Sequence, residues 1–140
     1  MDRQEQLEFI LDHYENPRNR GPLASPDIVM KGGNPGCGDI VTLYVRLGGD
    51  ERISQITFEG EGCTISQAAA SMLTELALGK SLAEVEAMNA ADFVEALGRE
   101  IVINRLRCAT LALNTLKAAE KKYRAGQQAR SAAEAAVENF

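Results

Sequence analysis

The stretch IVTLYVRLGGDERISQITFEG, residues 40–60, decides the fold. Apolar and polar residues alternate over residues 40–47, which is the period-two pattern of a half-buried strand. Gly48-Gly49-Asp50 is a turn signal, and a second alternating segment follows over residues 52–59. The stretch therefore predicts a hairpin within a small antiparallel sheet, and the short apolar segment 28–31 predicts a further strand.

Helices are predicted on both sides of the hairpin. Before it, residues 5–16 carry Leu7, Ile10, Leu11 and Tyr14 at helical spacing, and Asn16-Pro17 ends this helix because a residue before proline disfavours the helical region. After it, Thr64 and Gln67 fit a capping box that opens a helix running to about Leu78. Two short helices and a last main helix complete the pattern, with the predicted ranges 81–88, 90–97 and 104–125.

The order of these elements predicts an α+β domain, in which helices pack on a small antiparallel sheet of about three strands. The 140 residues are enough for one domain with its own core. We expect Asn104 to cap the last helix and Gly126 to end it, so residues 1–126 are the predicted domain. Residues 127–140 are an Ala- and Glu-rich tail, either a short extra helix or a frayed end.

The composition narrows the class of protein. A net charge of −5 argues against a general nucleic-acid binder, which is usually basic. No apolar run has the length of a membrane span, and the polar N-terminus has no apolar signal core, so we expect a cytoplasmic protein. Three is an odd number of cysteines, which disfavours a closed disulfide framework. In a reducing compartment, such cysteines are catalytic, metal-binding or simply buried.

The cysteines and one aspartate are the candidate functional residues. Cys37 and Asp39 share the segment Pro35-Gly36-Cys37-Gly38-Asp39, Cys63 follows a glycine, and Cys108 follows Arg107. Three thiolates and a carboxylate make a four-donor set, which a tetrahedral metal or one edge of an iron–sulfur cluster needs. The predicted helix starts place backbone N–H groups beside Cys63 and Cys108, and their partial positive charge favours the thiolate form.

Plainer interpretations exist for these residues. Cys108 lies beside Leu106 and Leu111, so it can equally be a small buried hydrophobic side chain. The spacing Cys-x25-Cys-x44-Cys is not a zinc-ribbon pattern. His13, the single histidine, is expected to be a surface or satisfied polar residue rather than a catalytic base.

In its motifs the chain resembles the IscU/SufU/NifU N-terminal family of iron–sulfur cluster assembly scaffold proteins. The resemblance covers about residues 7–123, nearly the whole chain. It is carried by four motifs in the same order as in the family: His13–Asn19, Gly33–Asp39, Gly60–Ser66 and Arg107–Ala109. The family's α+β fold agrees with the predicted sheet and helices.

The resemblance implies a scaffold and carrier protein rather than an enzyme. Such proteins accept persulfide sulfur from a cysteine desulfurase, combine it with iron into a transient [2Fe–2S] cluster and pass the cluster to acceptor proteins. By position, Cys37, Cys63 and Cys108 are the implied sulfur acceptors and, with Asp39, the implied ligands of the metal and cluster. Cys108 is the implied first acceptor, and zinc is implied in the protein as isolated.

Two departures from the IscU pattern matter. Arg107 stands where IscU members carry a histidine, so the fourth ligand is expected to be Asp39 or an exogenous donor. Residues 101–105 read Ile-Val-Ile-Asn-Arg in place of Leu-Pro-Pro-Val-Lys, which puts release by an Hsp70-type chaperone in doubt.

The Arg-Cys-Ala sequence is closer to SufU, although the insert usual in SufU members between the second and third cysteines is missing. The alternative function is therefore a zinc-dependent sulfurtransferase of the SufU kind, which relays persulfide without building the cluster. A structural zinc domain with no transfer chemistry is a third interpretation.

Overall fold

A three-stranded antiparallel sheet forms the base on which the helices pack. The computed structural model describes residues 2–34 and 38–133, with side chains to residue 126 except at Asn34. The strands are β1 (Ile28–Asn34), β2 (Asp39–Leu47) and β3 (Ile53–Glu61), in the order β1-β2-β3. The predicted α+β class, the hairpin and the number of strands are thereby confirmed.

The alternation along β2 separates the two faces of the sheet. Val41, Leu43 and Val45 are buried, whereas the residues between them point to the outer face. Leu43 pairs with Met30 of β1 and Phe58 of β3, so the apolar face continues across all three strands. Asp39 is the first residue of β2, and its side chain lies on the same face of the strand as the buried side chains of Val41 and Leu43. Its carboxylate is therefore on the inner face of the sheet.

In the part of the chain that the structure describes, six helices cover the buried face or flank it: α1 (Arg3–Glu15), α2 (Thr64–Ala77), α3 (Leu82–Ala87), α4 (Ala90–Leu97), α5 (Arg99–Val102) and α6 (Leu106–Ala133). Helices α2 and α6 contact both the sheet and each other. Small residues on these two helices are fully buried and permit the close approach: Ala68, Ala69, Ala70, Ala109 and Ala112. Helix α5, a single turn, was not predicted.

Helix α1 buries a polar residue where an apolar one was expected. Of its apolar residues at helical spacing, only Ile10 is buried, and Leu7, Leu11 and Tyr14 are exposed. His13 is buried instead, with Nδ1 2.7 Å from Ser71 Oγ and Nε2 3.4 Å from Glu75 Oε1. Both ring nitrogens thus have partners on α2, and His13 is a satisfied polar residue as predicted.

The segment after α1 closes the free edge of β3. Asn19 has a left-handed φ of 56°, and its side chain donates to Thr74 Oγ1 at 3.1 Å. Its carbonyl accepts from the Phe58 amide at 3.0 Å, and the Gly21 amide donates to the Phe58 carbonyl at 2.8 Å. The His13–Asn19 motif therefore ties α1, α2 and the sheet together.

Helix α6 differs from its prediction at both ends. It begins at Leu106, one residue later than a cap at Asn104 requires, and it continues through Gly126 to Ala133. A glycine inside a helix costs only about 1 kcal/mol relative to alanine, and the strong helix formers around Gly126 outweigh that cost. The predicted end at Gly126 is thus wrong, and residues 127–133 of the predicted tail are helical, whereas 134–140 lie outside the described residues. Of the helices described, none is both long and apolar enough to cross a membrane.

Candidate metal centre

Cys63 is itself the N-cap of α2. Its backbone is extended, with φ −72° and ψ 165°, and its Sγ accepts the backbone N–H of Ser66 at 3.5 Å. The Ser66 hydroxyl donates to the Cys63 carbonyl at 3.0 Å. The predicted capping box of Thr64 and Gln67 is therefore wrong by one residue, because the thiol occupies the capping position. The expectation that Cys63 lies at a helix N-terminus is confirmed.

Asp39 lies directly against this cap. Its Oδ1 accepts the Cys63 backbone N–H at 2.8 Å, and its Oδ2 lies 3.8 Å from Cys63 Sγ. The carboxylate is 2% exposed. Gly62 provides the space, because a Cβ at this residue would lie 2.1 Å from Asp39 Oδ1 and 2.8 Å from Ser66 Oγ. The aspartate is therefore held by the turn that presents the cysteine.

Cys108 completes the group from a third element. It is the third residue of α6 and is buried. One donor atom each from Asp39, Cys63 and Cys108 lies within 4.8 Å of the other two. The sequence placed these residues in one candidate set, and the structure brings the three of them together.

The surroundings of Cys108 oppose the predicted thiolate form. Burial, followed by hydrogen bonding to Asp39 and Cys63 and by their charges, raises the pKa of the Cys108 thiol to about 12. The helix N-terminus favours the thiolate, but desolvation and a neighbouring carboxylate outweigh it. The alternative of plain apolar burial for Cys108 fails as well, because the thiol has two polar partners.

Cys37 lies outside the described residues, so its place in the group stays a prediction. The residues that flank its loop are described: Asn34 of β1 pairs with Asp39 of β2.

The described donors fit a tetrahedral metal. Zinc–sulfur bonds of about 2.3 Å and zinc–oxygen bonds of about 2.0–2.2 Å correspond to donor atoms about 3.5–3.8 Å apart. Asp39 Oδ2 and Cys63 Sγ already have this separation, and the full group needs to contract by about 1 Å at most. Two thiols with a carboxylate suit Zn²⁺ or Fe²⁺, which accept both sulfur and oxygen ligands.

A cleft opens beside Cys108. It has a volume of about 470 Å³ and is lined by residues 103–108, which include the exposed apolar side chains Ile103 and Leu106. Arg105 and Arg107 are exposed in the same cleft. Arg107 also lines a groove of about 330 Å³ between β1 and α6. It therefore lies beside the donors without being one of them.

Sequence reasoning missed two residues that shape the centre. Gly62 has a φ of +148°, and the Asp39 carboxylate occupies the space that a side chain at this residue would fill. The signal for it in the sequence was its place directly before Cys63. Gln67 was expected to face a helix cap; instead it is buried behind Gly60.

Known proteins resemble this chain in sequence and in fold. Residues 5–130 match the family model of the NifU-like N-terminal domain. The chain is 34% identical to the iron-sulfur cluster assembly scaffold protein IscU of Escherichia coli over 88% of this chain and 97% of that protein. It is 48% identical over 75 residues to the zinc-dependent sulfurtransferase SufU of Bacillus subtilis, a match that covers 54% of this chain and 50% of the relative.

Two further comparisons concern length and fold. The chain spans 23% of the bifunctional protein NifU/MnmA of Rubrobacter xylanophilus, to which it is 38% identical over 81% of its own length. The crystal structure of the N-terminal part of a NifU-like protein from Brucella abortus superposes with a TM-score of 0.71 at 20% identity, covering 84% of this chain and 93% of that one. That structure supports the fold alone. The motifs, the fold and the family match agree, and the chain belongs to the NifU-like N-terminal domain family.

Proposed function

We propose that this protein is an iron–sulfur cluster assembly scaffold. It accepts persulfide sulfur from a cysteine desulfurase, binds iron, assembles a [2Fe–2S] cluster and transfers the cluster to acceptor proteins. The observation that carries the proposal is the meeting of donor atoms of Asp39, Cys63 and Cys108 within 4.8 Å of one another. The E. coli relative named as a scaffold supports it across nearly its full length.

The proposed ligands of iron and of the cluster are Cys37, Cys63, Cys108 and Asp39. The carboxylate is a harder ligand than a thiolate, so it binds iron in a cluster less firmly than a fourth cysteine would. A carrier has to release its product, and this mixed donor set suits release. Zinc is the proposed occupant in the protein as isolated, because the same donors satisfy its tetrahedral geometry.

Sulfur transfer is proposed to occur by thiol–persulfide exchange at the three cysteines. A scaffold thiolate attacks the outer sulfur of the desulfurase persulfide, a new S–S bond forms, and the desulfurase cysteine leaves as a thiolate. Cys108 is the proposed first acceptor, since it lines the open cleft beside α6, and binding of a metal at the centre would favour loss of the proton from its thiol. Each sulfane sulfur then needs two electrons to become sulfide, and we assign these to an external electron-carrier protein.

The alternative is a zinc-dependent sulfurtransferase that relays persulfide and builds no cluster. The higher local identity to SufU favours it, as does Arg107 at a position where the resemblance to IscU would require histidine. In this alternative the protein has a transfer activity of its own, whereas the scaffold is not an enzyme. A purely structural zinc site is refuted if removing the metal leaves the circular dichroism of the fold intact.

Anaerobic reconstitution separates the two functions. The purified chain is incubated with iron, cysteine and a cysteine desulfurase, and absorbance and Mössbauer spectra are recorded. A [2Fe–2S] chromophore that moves to an apo-ferredoxin supports the scaffold. Retained zinc with persulfide on a cysteine, and no cluster, refutes the scaffold in favour of the relay. Thr110→Val, a change two residues after Cys108 that removes a hydroxyl bonded to the Leu106 carbonyl, serves as the control variant.

The proposed partners follow from this chemistry. They are a cysteine desulfurase and apo-proteins that receive the cluster, and we propose the cytoplasm as the site of action. The exposed apolar pair Ile103 and Leu106 beside Cys108 suits transient contact with such partners. Dedicated Hsp70-type assistance is not part of the proposal, because residues 101–105 lack the proline-containing motif.

A further inference from the structure

Gln67 is a buried polar side chain with too few partners. It is 9% exposed, and its Oε1 has no hydrogen-bond partner among the described residues. Its Nε2 donates only a long bond, 3.4 Å, to Ser66 Oγ. A Cβ at Gly60 would lie 3.2 Å from both amide atoms, so the amide is packed directly beneath β3.

Stability alone does not account for an amide at this position. A buried acceptor without a partner loses its hydration and gains nothing in return. Methionine or leucine would fill a similar volume without burying an oxygen that lacks a hydrogen bond. The amide is therefore explained by what its N–H does, and its one partner is the hydroxyl of Ser66.

Ser66 holds the turn that carries Cys63. Its backbone N–H donates to Cys63 Sγ, and its hydroxyl donates to the Cys63 carbonyl. Since a hydroxyl has a single proton, this bond leaves its lone pairs to accept the Gln67 N–H. The Asp39 carboxylate is the nearby acceptor to which a shifted Ser66 side chain would turn, because Asp39 Oδ1 and Ser66 Oγ lie 2.1 and 2.8 Å from the same point beside Gly62 and are therefore at most 4.9 Å apart.

We propose that Gln67 is a positioning residue for the metal centre, which acts by holding the Ser66 hydroxyl on the Cys63 carbonyl and away from the Asp39 carboxylate. A hydroxyl that turned to the carboxylate would form a stronger, charge-assisted bond. It would draw negative charge away from the carboxylate, whose Oδ2 faces the Cys63 thiol, and it would free the Cys63 turn. This inference rests on the proposed function in one respect: the centre has to hold a metal.

The test compares Gln67→Met with the wild-type chain by two measurements. The first is zinc affinity by competition with a chromophoric chelator, supported by the sulfur-to-cobalt charge-transfer bands of the Co²⁺ form. The second is the urea midpoint of the metal-free protein. We expect zinc affinity to fall about tenfold, as is typical when a partner of a metal ligand is removed. The urea midpoint should not fall, because the variant lacks Gln67 Oε1, the buried acceptor without a hydrogen-bond partner. Gln67→Leu serves as a second variant of similar size.

A double-mutant cycle shows whether the effect passes through Ser66. If it does, Gln67→Met lowers zinc affinity in the wild-type background and leaves it unchanged in a Ser66→Ala background. Thr74→Val is the matched control, since it removes a buried hydroxyl of α2 that bonds the Asn19 side chain far from the centre. It should lower the urea midpoint and leave zinc affinity unchanged.

The outcomes are separable. Unchanged zinc affinity in Gln67→Met, or an equal loss in both backgrounds, overturns the positioning role and leaves the proposed function standing. A wild-type chain that binds zinc no better than Cys63→Ser overturns both.

Discussion

Replacing Gly62 by alanine is the sharpest test of how the centre is built. The added Cβ would lie 2.1 Å from Asp39 Oδ1, whereas ordinary contact begins at 3.4 Å, so the carboxylate or the turn has to move by more than 1 Å. The φ of +148° adds strain of its own for any residue with a side chain. The change therefore acts on the ligand itself as well as on stability.

The expected magnitude has two parts. A residue held in a sparsely populated backbone region costs about 1–3 kcal/mol. Overpacking a well-filled site costs about 1–3 kcal/mol more. We therefore expect Gly62→Ala to lose about 2–6 kcal/mol of unfolding free energy, together with a 10–100-fold loss of zinc affinity.

Two controls separate the parts. Gly79 has a φ of +85° and nothing within 4 Å of an added Cβ. Gly79→Ala should therefore lose unfolding free energy through backbone strain alone and should keep its zinc affinity. Asp39→Ala removes the group that the new methyl meets, so Gly62→Ala should cost less stability in that background. Urea unfolding of the metal-free protein and chelator competition for zinc measure both. Wild-type zinc affinity in Gly62→Ala would refute the reasoning.

Three further predictions follow from the same structure. Replacing any one of the cysteines by serine should abolish sulfur transfer from a desulfurase, measured with ³⁵S-labelled cysteine, and transfer at the wild-type rate in one variant would remove that cysteine from the mechanism. Burial lowers the pKa of His13, so the folded chain binds fewer protons there than the unfolded chain. The contribution of His13 to stability should be complete above about pH 6.5 and should fall as the pH drops toward the folded pKa. In urea unfolding of the metal-free protein, His13→Gln should lose less stability over this range than the wild-type chain, and equal losses would contradict this. Gly32→Ala should destabilise the fold by about 1–3 kcal/mol, because its Cβ would lie 2.0 Å from Thr115 Oγ1 on α6, and an unchanged urea midpoint would show that β1 and α6 do not pack this closely.

The sheet and the helices could be predicted because their signals are local. The alternation around Leu43 and the glycine turn after Leu47 need no knowledge of the rest of the chain. The candidate members of the site could be named because the chain has three cysteines, two of them beside glycines and one two residues before an aspartate. Three of the four candidate residues meet, and the fourth lies outside the described residues.

The features that local patterns could not predict depend on tertiary partners. His13 is buried because Ser71 and Glu75 of α2 provide its hydrogen bonds, which the pattern of α1 alone does not contain. Burial, followed by the neighbouring Asp39 and Cys63, raises the pKa of the Cys108 thiol, and none of these is visible in the local sequence. The cap of α2 was misplaced by one residue because capping statistics favour threonine over cysteine, although the thiol can accept the same hydrogen bond.

The three described donors come from separate parts of the fold: the first residue of β2, the cap of α2 and the first turn of α6. An ion that bridges them cross-links the tertiary structure and binds the unfolded chain poorly. At a free concentration one hundred times its dissociation constant, such an ion raises the unfolding free energy by about 2.7 kcal/mol. Under the proposed function, release of the bound ion or cluster returns the chain to its less stable form, and we expect cellular proteases to remove the emptied protein faster than the loaded one.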